Sequence, residues 1–298
     1  MQNKISDKFR KFKLNSAIIS KQLFAGNFLS VFSGQGMNFK ELREYNFGDD
    51  IKSIDWSATA KTNKTYIKIN EEERQQNIVF LVDVSKSIEG RRGVLPMPIE
   101  NAELTKNKKD IISELCFTVA YSSIKNNDKI GAVFFSEKIE KVIPLTNQAN
   151  SISLIAKTLD NFEPQNSGTD FRSALQFINS AFKKGTIIFI FSDFFTDLNF
   201  EKELSIAAKK FKLLAFQITD FNEENISDLG LIRTYNRETN KIEYIEVTKN
   251  ILEEANIFNE KLKKVMRKNS INFLSLEINE NYLVKLKAFF DRIRISKN

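Results

Sequence analysis

Two short stretches of this chain are apolar almost from end to end: Asn77-Ile-Val-Phe-Leu-Val82 and Thr186-Ile-Ile-Phe-Ile-Phe191. A strand with one wet face alternates polar and apolar residues, whereas a strand covered on both faces has no polar side. Each run therefore reads as a central strand of a parallel sheet. Helices must cover that sheet, and the rest of the chain supplies them. Ile111, Leu115 and Val119 repeat every four residues and predict one apolar helix face over Lys108 to about Lys125. Further helices are expected at Ser151–Leu159, Phe171–Phe182, Phe200–Lys210, Asn250–Lys268 and Asn281–Ile293. Strands are expected at Lys129–Phe135, Lys138–Ile143, Leu213–Ile218 and Ile271–Leu276. Strands alternating with helices define an α/β fold, a doubly wound, mostly parallel sheet with helices on both faces. We assign it to residues 76–298, with a hairpin near 229–247 that pairs Leu229–Thr234 with Lys241–Val247 over Glu238-Thr-Asn240. Residues 1–75 read as an irregular or β-rich N-terminal module, with extended candidates at Phe28–Phe32 and Thr65–Ile69.

In such a sheet, ligands gather in the crevice at the carboxyl ends of the strands. The first apolar run ends in Asp83-Val-Ser-Lys-Ser87, the second in Ser192-Asp193, and the loop before the Phe171 helix reads Ser167-Gly-Thr-Asp170. These three junctions are expected at one edge, where Asp83, Ser85, Ser87, Thr169 and Asp193 would form an all-oxygen cluster. Two carboxylates and three hydroxyls suit a hard divalent cation, Mg²⁺ or Mn²⁺, and leave it enough positive charge to take an outside carboxylate. The bland alternative is a set of turn and helix-cap residues, which Asp and Ser commonly are.

Composition removes the competing chemistries. The chain has 298 residues and no histidine, so His-dependent triads and His-Cys zinc sites do not arise. Cys116 is its single cysteine, excluding an internal disulfide and suiting a reducing compartment. It lies in an apolar helical stretch and reads as core. A cationic start without a long apolar run, and no stretch of 18 apolar residues, argue for a cytoplasmic protein with no membrane span. The net charge of +7 is spread without a basic block, which is poor support for nucleic-acid binding.

Asp83, Ser85, Ser87, Thr169 and Asp193 match, in order and setting, the metal-ion-dependent adhesion site of von Willebrand factor type A domains, which the chain resembles here. The resemblance implies that Ser85, Ser87 and Thr169 bind metal directly or through one water, with Asp83 and Asp193 acting through water and hydrogen bonds. A second resemblance covers nearly the whole chain. Phe39-Lys-Glu-Leu-Arg-Glu-Tyr45, Gly48-Asp-Asp50, Ile54-Asp-Trp56 and Ala58-Thr-Ala-Lys61 look like the signature of a bacterial family, domain of unknown function 58, which precedes a type A-like domain. Phe289-Phe290 in an Arg-containing final helix resembles that family's tail. The main departure is Glu89 to Lys108, with Pro96 and Pro98, a loop expected beside the metal. The family resemblance implies a ring-forming AAA+ ATPase partner of the MoxR type.

The expected function is a non-enzymatic interaction module that holds a divalent metal and engages an Asp or Glu of a protein partner. Phe194 and Phe195, directly after Asp193, would anchor that partner if exposed and line the loop if buried. Arg43 and Trp56 have two readings, a docking surface or a salt-bridged clasp that ties the N-terminal module to the sheet. The rival reading is a Mg²⁺-dependent phosphate-transfer enzyme with Asp83 as nucleophile. Against it, a haloacid-dehalogenase-like site needs a carboxylate where this chain has Ser85, and no phosphate-binding G-x-x-x-x-G-K-[ST] loop is present.

Overall fold

The computed structural model describes residues 41–49, 51, 54, 56–62, 64–69, 75–89, 107–163, 168–219, 231–236, 241–246, 249–278 and 280–295. The expected strand at Phe28–Phe32, the signature residues Asp50 and Asp55, Ser167, the 238–240 turn and positions 90–106 of the loop after Ser87 lie outside them.

Six strands form the main sheet: β3 (Asn77–Asp83), β4 (Lys129–Phe135), β5 (Ile139–Thr146), β6 (Ile187–Ser192), β7 (Lys212–Thr219) and, last in sequence, Asn272–Glu277. That last strand is labelled β10, after a separate hairpin of β8 (Leu231–Asn236) and β9 (Lys241–Glu246). The order across the sheet is β10-β7-β6-β3-β4-β5, and every neighbour pair is parallel except β4–β5. The first apolar run thus sits in the middle of the sheet. Ile78 lies between Ile130 and Ile187, and Phe80 between Ala132 and Phe189. From β3 the chain moves outward through β4 to β5, then returns to the other side of β3 with β6. Neighbouring strands that send the chain in opposite directions leave a crevice between the loops at their carboxyl ends. In this chain that crevice lies between Asp83 and Ser192.

The helices are α1 (Trp56–Thr62), the one-turn α2 (Lys86–Glu89), α3 (Lys108–Lys125), α4 (Asn150–Asn161), α5 (Phe171–Ala181), α6 (Glu201–Lys210), α7 (Lys249–Lys268) and α8 (Tyr282–Ile295). Successive residues of a strand point to opposite faces. Ile78, Phe80 and Val82 accordingly join a core with residues of α3, α4 and α8, while Val79 and Leu81 join a second core with residues of α5, α6 and α7. Burial on both faces is what permits the uninterrupted apolar runs.

Helix α3 departs from the expected single apolar face. Ser113, Glu114, Thr118, Ser122 and Ser123 are buried together with Ile111, Leu115 and Val119, because α4 and α8 cover what would otherwise be its wet side. Three of these polar side chains have partners close by, while the Ser113 hydroxyl has none among the described residues. Thr118 and Ser123 each donate at 2.7 Å to a carbonyl one turn back, and the Tyr282 hydroxyl of α8 donates to Glu114. The helix starts with a capping box in which Asn107 accepts from the Asp110 amide at 2.8 Å and Asp110 accepts from the Asn107 amide at 3.2 Å.

Near the chain start, β1 (Glu41–Glu44) and β2 (Tyr66–Ile69) pair antiparallel as a two-stranded sheet. Residues 56–62 of the signature are helical rather than irregular. The hairpin expected near 229–247 is present, with Leu231 opposite Glu246 and Asn236 opposite Lys241.

Candidate metal centre

Asp83 closes β3 with no exposed surface. Its Oδ1 accepts from the Ser85 amide at 2.9 Å, an Asx turn that reverses the chain into α2. That reversal brings the Ser85 and Ser87 hydroxyl oxygens to 3.0 Å from each other. The other carboxylate oxygen of Asp83 accepts from the Ser192 hydroxyl of β6 at 2.6 Å, which ties the two central strand ends together. Ser192 in turn accepts from the Phe194 amide at 2.8 Å.

Asp193 repeats the device one strand over. Its Oδ1 accepts from the Phe195 amide at 3.1 Å, two residues on, and its Oδ2 accepts from the Lys108 ammonium at 3.1 Å. The same ammonium donates to the Ser87 carbonyl at 3.3 Å. Gln217 of β7 donates to the Asp193 carbonyl at 3.3 Å and to Asn259 of α7 at 3.1 Å. Asp83, Ser85, Ser87 and Asp193 are thus joined in one continuous network through Ser192 and Lys108.

Thr169 stands on the adjoining loop. Asp170 after it caps α5, accepting from the amides of Arg172 at 2.9 Å and Ser173 at 3.3 Å. Its own amide donates to the Ser136 carbonyl at 2.9 Å, and Gly168 donates to Glu137 at 3.0 Å. The Thr196 hydroxyl reaches the Thr169 carbonyl at 3.4 Å, so this loop and the loop after β6 adjoin. Exposure rises outward across the set. Asp83 and Ser85 are buried, while Ser87 and Thr169 are half-buried.

Burial pushes the Asp83 carboxyl up from 3.8 to about 6, and the nearby Asp193 charge adds to the rise. The hydrogen bonds from Ser192 and Ser85 oppose it. Two carboxylates held together away from water favour any cation that joins them. Among the described residues, no group of three or more Cys, Asp or Glu side chains gathers to hold an ion. A metal at these strand ends would therefore take hydroxyl and water oxygens besides the two aspartates. That donor set fits a hard divalent cation and not a soft one.

Phe194 is a correction to the exposed anchor expected beside Asp193. It takes a left-handed φ of 56°, turns its ring inward, stacks on Phe171 at 5.0 Å and is 1% exposed. Phe195 is the aromatic at the surface, 59% exposed and 6.0 Å from the Phe258 ring of α7. Arg43 makes a local ion pair, to Asp49 at 2.7 Å across the turn where Gly48 takes a φ of 108°. The Asn46 amide and then Arg43 hold the Asp49 carboxyl below its usual value. Trp56 is 68% exposed, so it does not bury its ring as a clasp would.

Sequence reasoning passed over Lys108, Ser192 and Gln217. Lys108 had a signal: it lies three residues before Ile111 and so falls on the apolar stripe of α3, where an unpaired lysine does not belong. Ser192 and Gln217 carry no comparable pattern.

Residues 41–264 match the family described as Protein of unknown function DUF58. An uncharacterised protein of Mycobacterium tuberculosis H37Rv is 20% identical over 207 residues, which is 69% of this chain and 62% of that protein. The match thus spans less than two thirds of that relative's length. Among solved structures, the chain is similar to BatB from Bacteroides thetaiotaomicron, with 14% identity, a TM-score of 0.49 and coverage of 75% of this chain and 100% of that one. It is also similar to a von Willebrand factor type A protein from Catenulispora acidiphila, with 12% identity, a TM-score of 0.41, and coverage of 78% and 43%. No helix among the described residues is long and apolar enough to cross a membrane.

Proposed function

The chain belongs to the DUF58 family, and from that premise we propose that it is a non-enzymatic interaction module whose strand-end site takes a divalent metal and grips a carboxylate of a protein partner. The observation that carries the reading is the convergence of Asp83, Ser85, Ser87 and Asp193, linked through Ser192 and Lys108, at the crevice between β3 and β6. The metal, Mg²⁺ or Mn²⁺, would supply a coordination position open to an Asp or Glu from outside. Ser85, Ser87 and Thr169 would hold it directly or through one water, and Asp83 and Asp193 would act through water. Half-buried Ser87 and Thr169 mark the side from which a partner approaches.

One carboxylate gives orientation, and the surrounding surface has to add affinity. Phe195 suits that role, with Ile257 of α7 nearby in sequence to its ring partner Phe258 and itself 54% exposed. Arg43 and Trp56 are our second candidate contact region, on the strength of the exposed Trp56 ring. A ring-forming AAA+ ATPase of the MoxR type is the partner we propose first. Phosphate transfer from Asp83 finds no support in the geometry. Both its oxygens already accept hydrogen bonds, and no part of it is exposed for in-line attack.

Thermal melting of chelator-treated protein during Mg²⁺ and Mn²⁺ titration tests the metal reading. A saturable rise in Tm that is absent in Asp83→Asn is the expected result, because an ion that binds only the folded state stabilises it by mass action. A Tm that stays flat into the millimolar range, or rises equally in the variant, rejects it.

A further inference from the structure

Lys108 occupies a position that two general rules disfavour. It is the first residue of α3, where the amino-terminal end of the helix dipole repels a cation. It is also 3% exposed, and a buried ammonium is costly unless it is paired. Its partner is Asp193: the two residues lie 85 positions apart in sequence and meet because β6 ends beside the start of α3. The same ammonium donates to the Ser87 carbonyl, so it bridges two of the junctions that form the candidate metal centre.

We propose that Lys108 is a tethered cation that stands in for the divalent ion and competes with it, so that metal enters only as the ammonium leaves Asp193. This rests on the metal reading above. With Lys108 in place, one positive charge already offsets the Asp83–Asp193 pair and holds the loops after β3 and β6 together without any ion. A divalent cation brought to Asp193 meets a like charge hydrogen-bonded to the same carboxylate, and the two repel. The lysine therefore raises the metal concentration at which the site fills. Occupancy then follows the metal concentration along an ordinary saturation curve displaced to higher concentration.

The test is Mn²⁺ binding, followed by the electron paramagnetic resonance signal of the free ion, for the wild type, Lys108→Gln and Lys108→Arg. Lys108→Gln is expected to reach half-saturation at a Mn²⁺ concentration at least tenfold below the wild type, while Lys108→Arg, which keeps the charge, stays near it. Equal half-saturation in the wild type and Lys108→Gln overturns the competition while leaving the metal site standing. No Mn²⁺ binding by any of the three overturns the metal reading and this inference with it. Should Lys108→Gln fail to fold, amine labelling of wild-type Lys108 read by mass spectrometry decides. Protection in chelator that is lost at saturating Mn²⁺ supports the exchange, and equal protection in both overturns it.

Discussion

Phe194 and Phe195 are adjacent phenylalanines with opposite fates, and the cause is backbone, not side chain. A left-handed φ at Phe194 turns its ring under the loop into the space between Phe171 and Phe273, so Phe195 is left outside. Holding a bulky residue in that conformation needs compensation. The burial of the ring and the Phe194–Ser192 hydrogen bond at 2.8 Å supply it. Phe194→Ala is expected to cost about 3–5 kcal/mol of stability, as truncation of a buried phenylalanine does. Phe195→Ala, with most of its ring in solvent, should shift stability by roughly 0.5 kcal/mol or less. Urea denaturation of the two variants separates them, and comparable midpoints would mean that the loop is not arranged as described. The sequence could not distinguish the pair, since both residues have the same composition and the same strand-end position. By contrast, Asp83, Ser85, Ser87 and Asp193 were legible, because hydroxyls and carboxylates directly after wholly apolar runs have one edge of the sheet to occupy.

At the scale of elements, the regular pieces were legible wherever burial was uniform. The runs that became β3 and β6 announce themselves by lacking a polar side, and β4 lies at its expected bounds. Helix α3 was legible in extent and misread in environment. Its serines, threonine and glutamate look like a wet face, but α4 and α8 close over them, and Thr118, Ser123 and Glu114 find partners within reach instead of water. Tertiary cover of this kind leaves no periodic trace in one sequence. It does leave a testable dependence between distant elements. Tyr282→Phe removes the hydroxyl that α8 donates to Glu114 and leaves a buried acceptor with one donor fewer. The expected loss is about 1–3 kcal/mol, read as a lower urea midpoint with an unchanged slope. A variant as stable as the wild type would show that the α3–α8 contact is held by its apolar residues alone.

Among the described residues the molecule has two hydrophobic cores, one on each face of the sheet, and the buried Asp83, Asp193 and Lys108 meet where the central strands of that sheet end. Stability and site chemistry are therefore linked through Asp83. In the folded protein its carboxyl keeps its proton up to about pH 6, whereas in the unfolded chain it loses it near 3.8. Between those values the folded state binds more protons than the unfolded one, so this group makes stability fall as pH rises through that window. Above about pH 6 the penalty is complete, and below about pH 4 it is absent. Other carboxylates titrate over the same range, so the contribution has to be isolated by difference. Asp83→Asn keeps the shape, offers an oxygen to the Ser85 amide and an N–H to Ser192, and carries no charge. In chelator, wild-type stability minus that of Asp83→Asn should decline as pH is raised from 4 to 7. Saturating divalent metal should reverse the trend, because an ion bound near the ionised carboxylate favours the form that burial disfavours. Melting series at several pH values, with and without Mn²⁺, give both slopes. A difference independent of pH in chelator would mean that water reaches Asp83 in the folded protein, and the strand-end pair would then have no unmet charge to draw a cation.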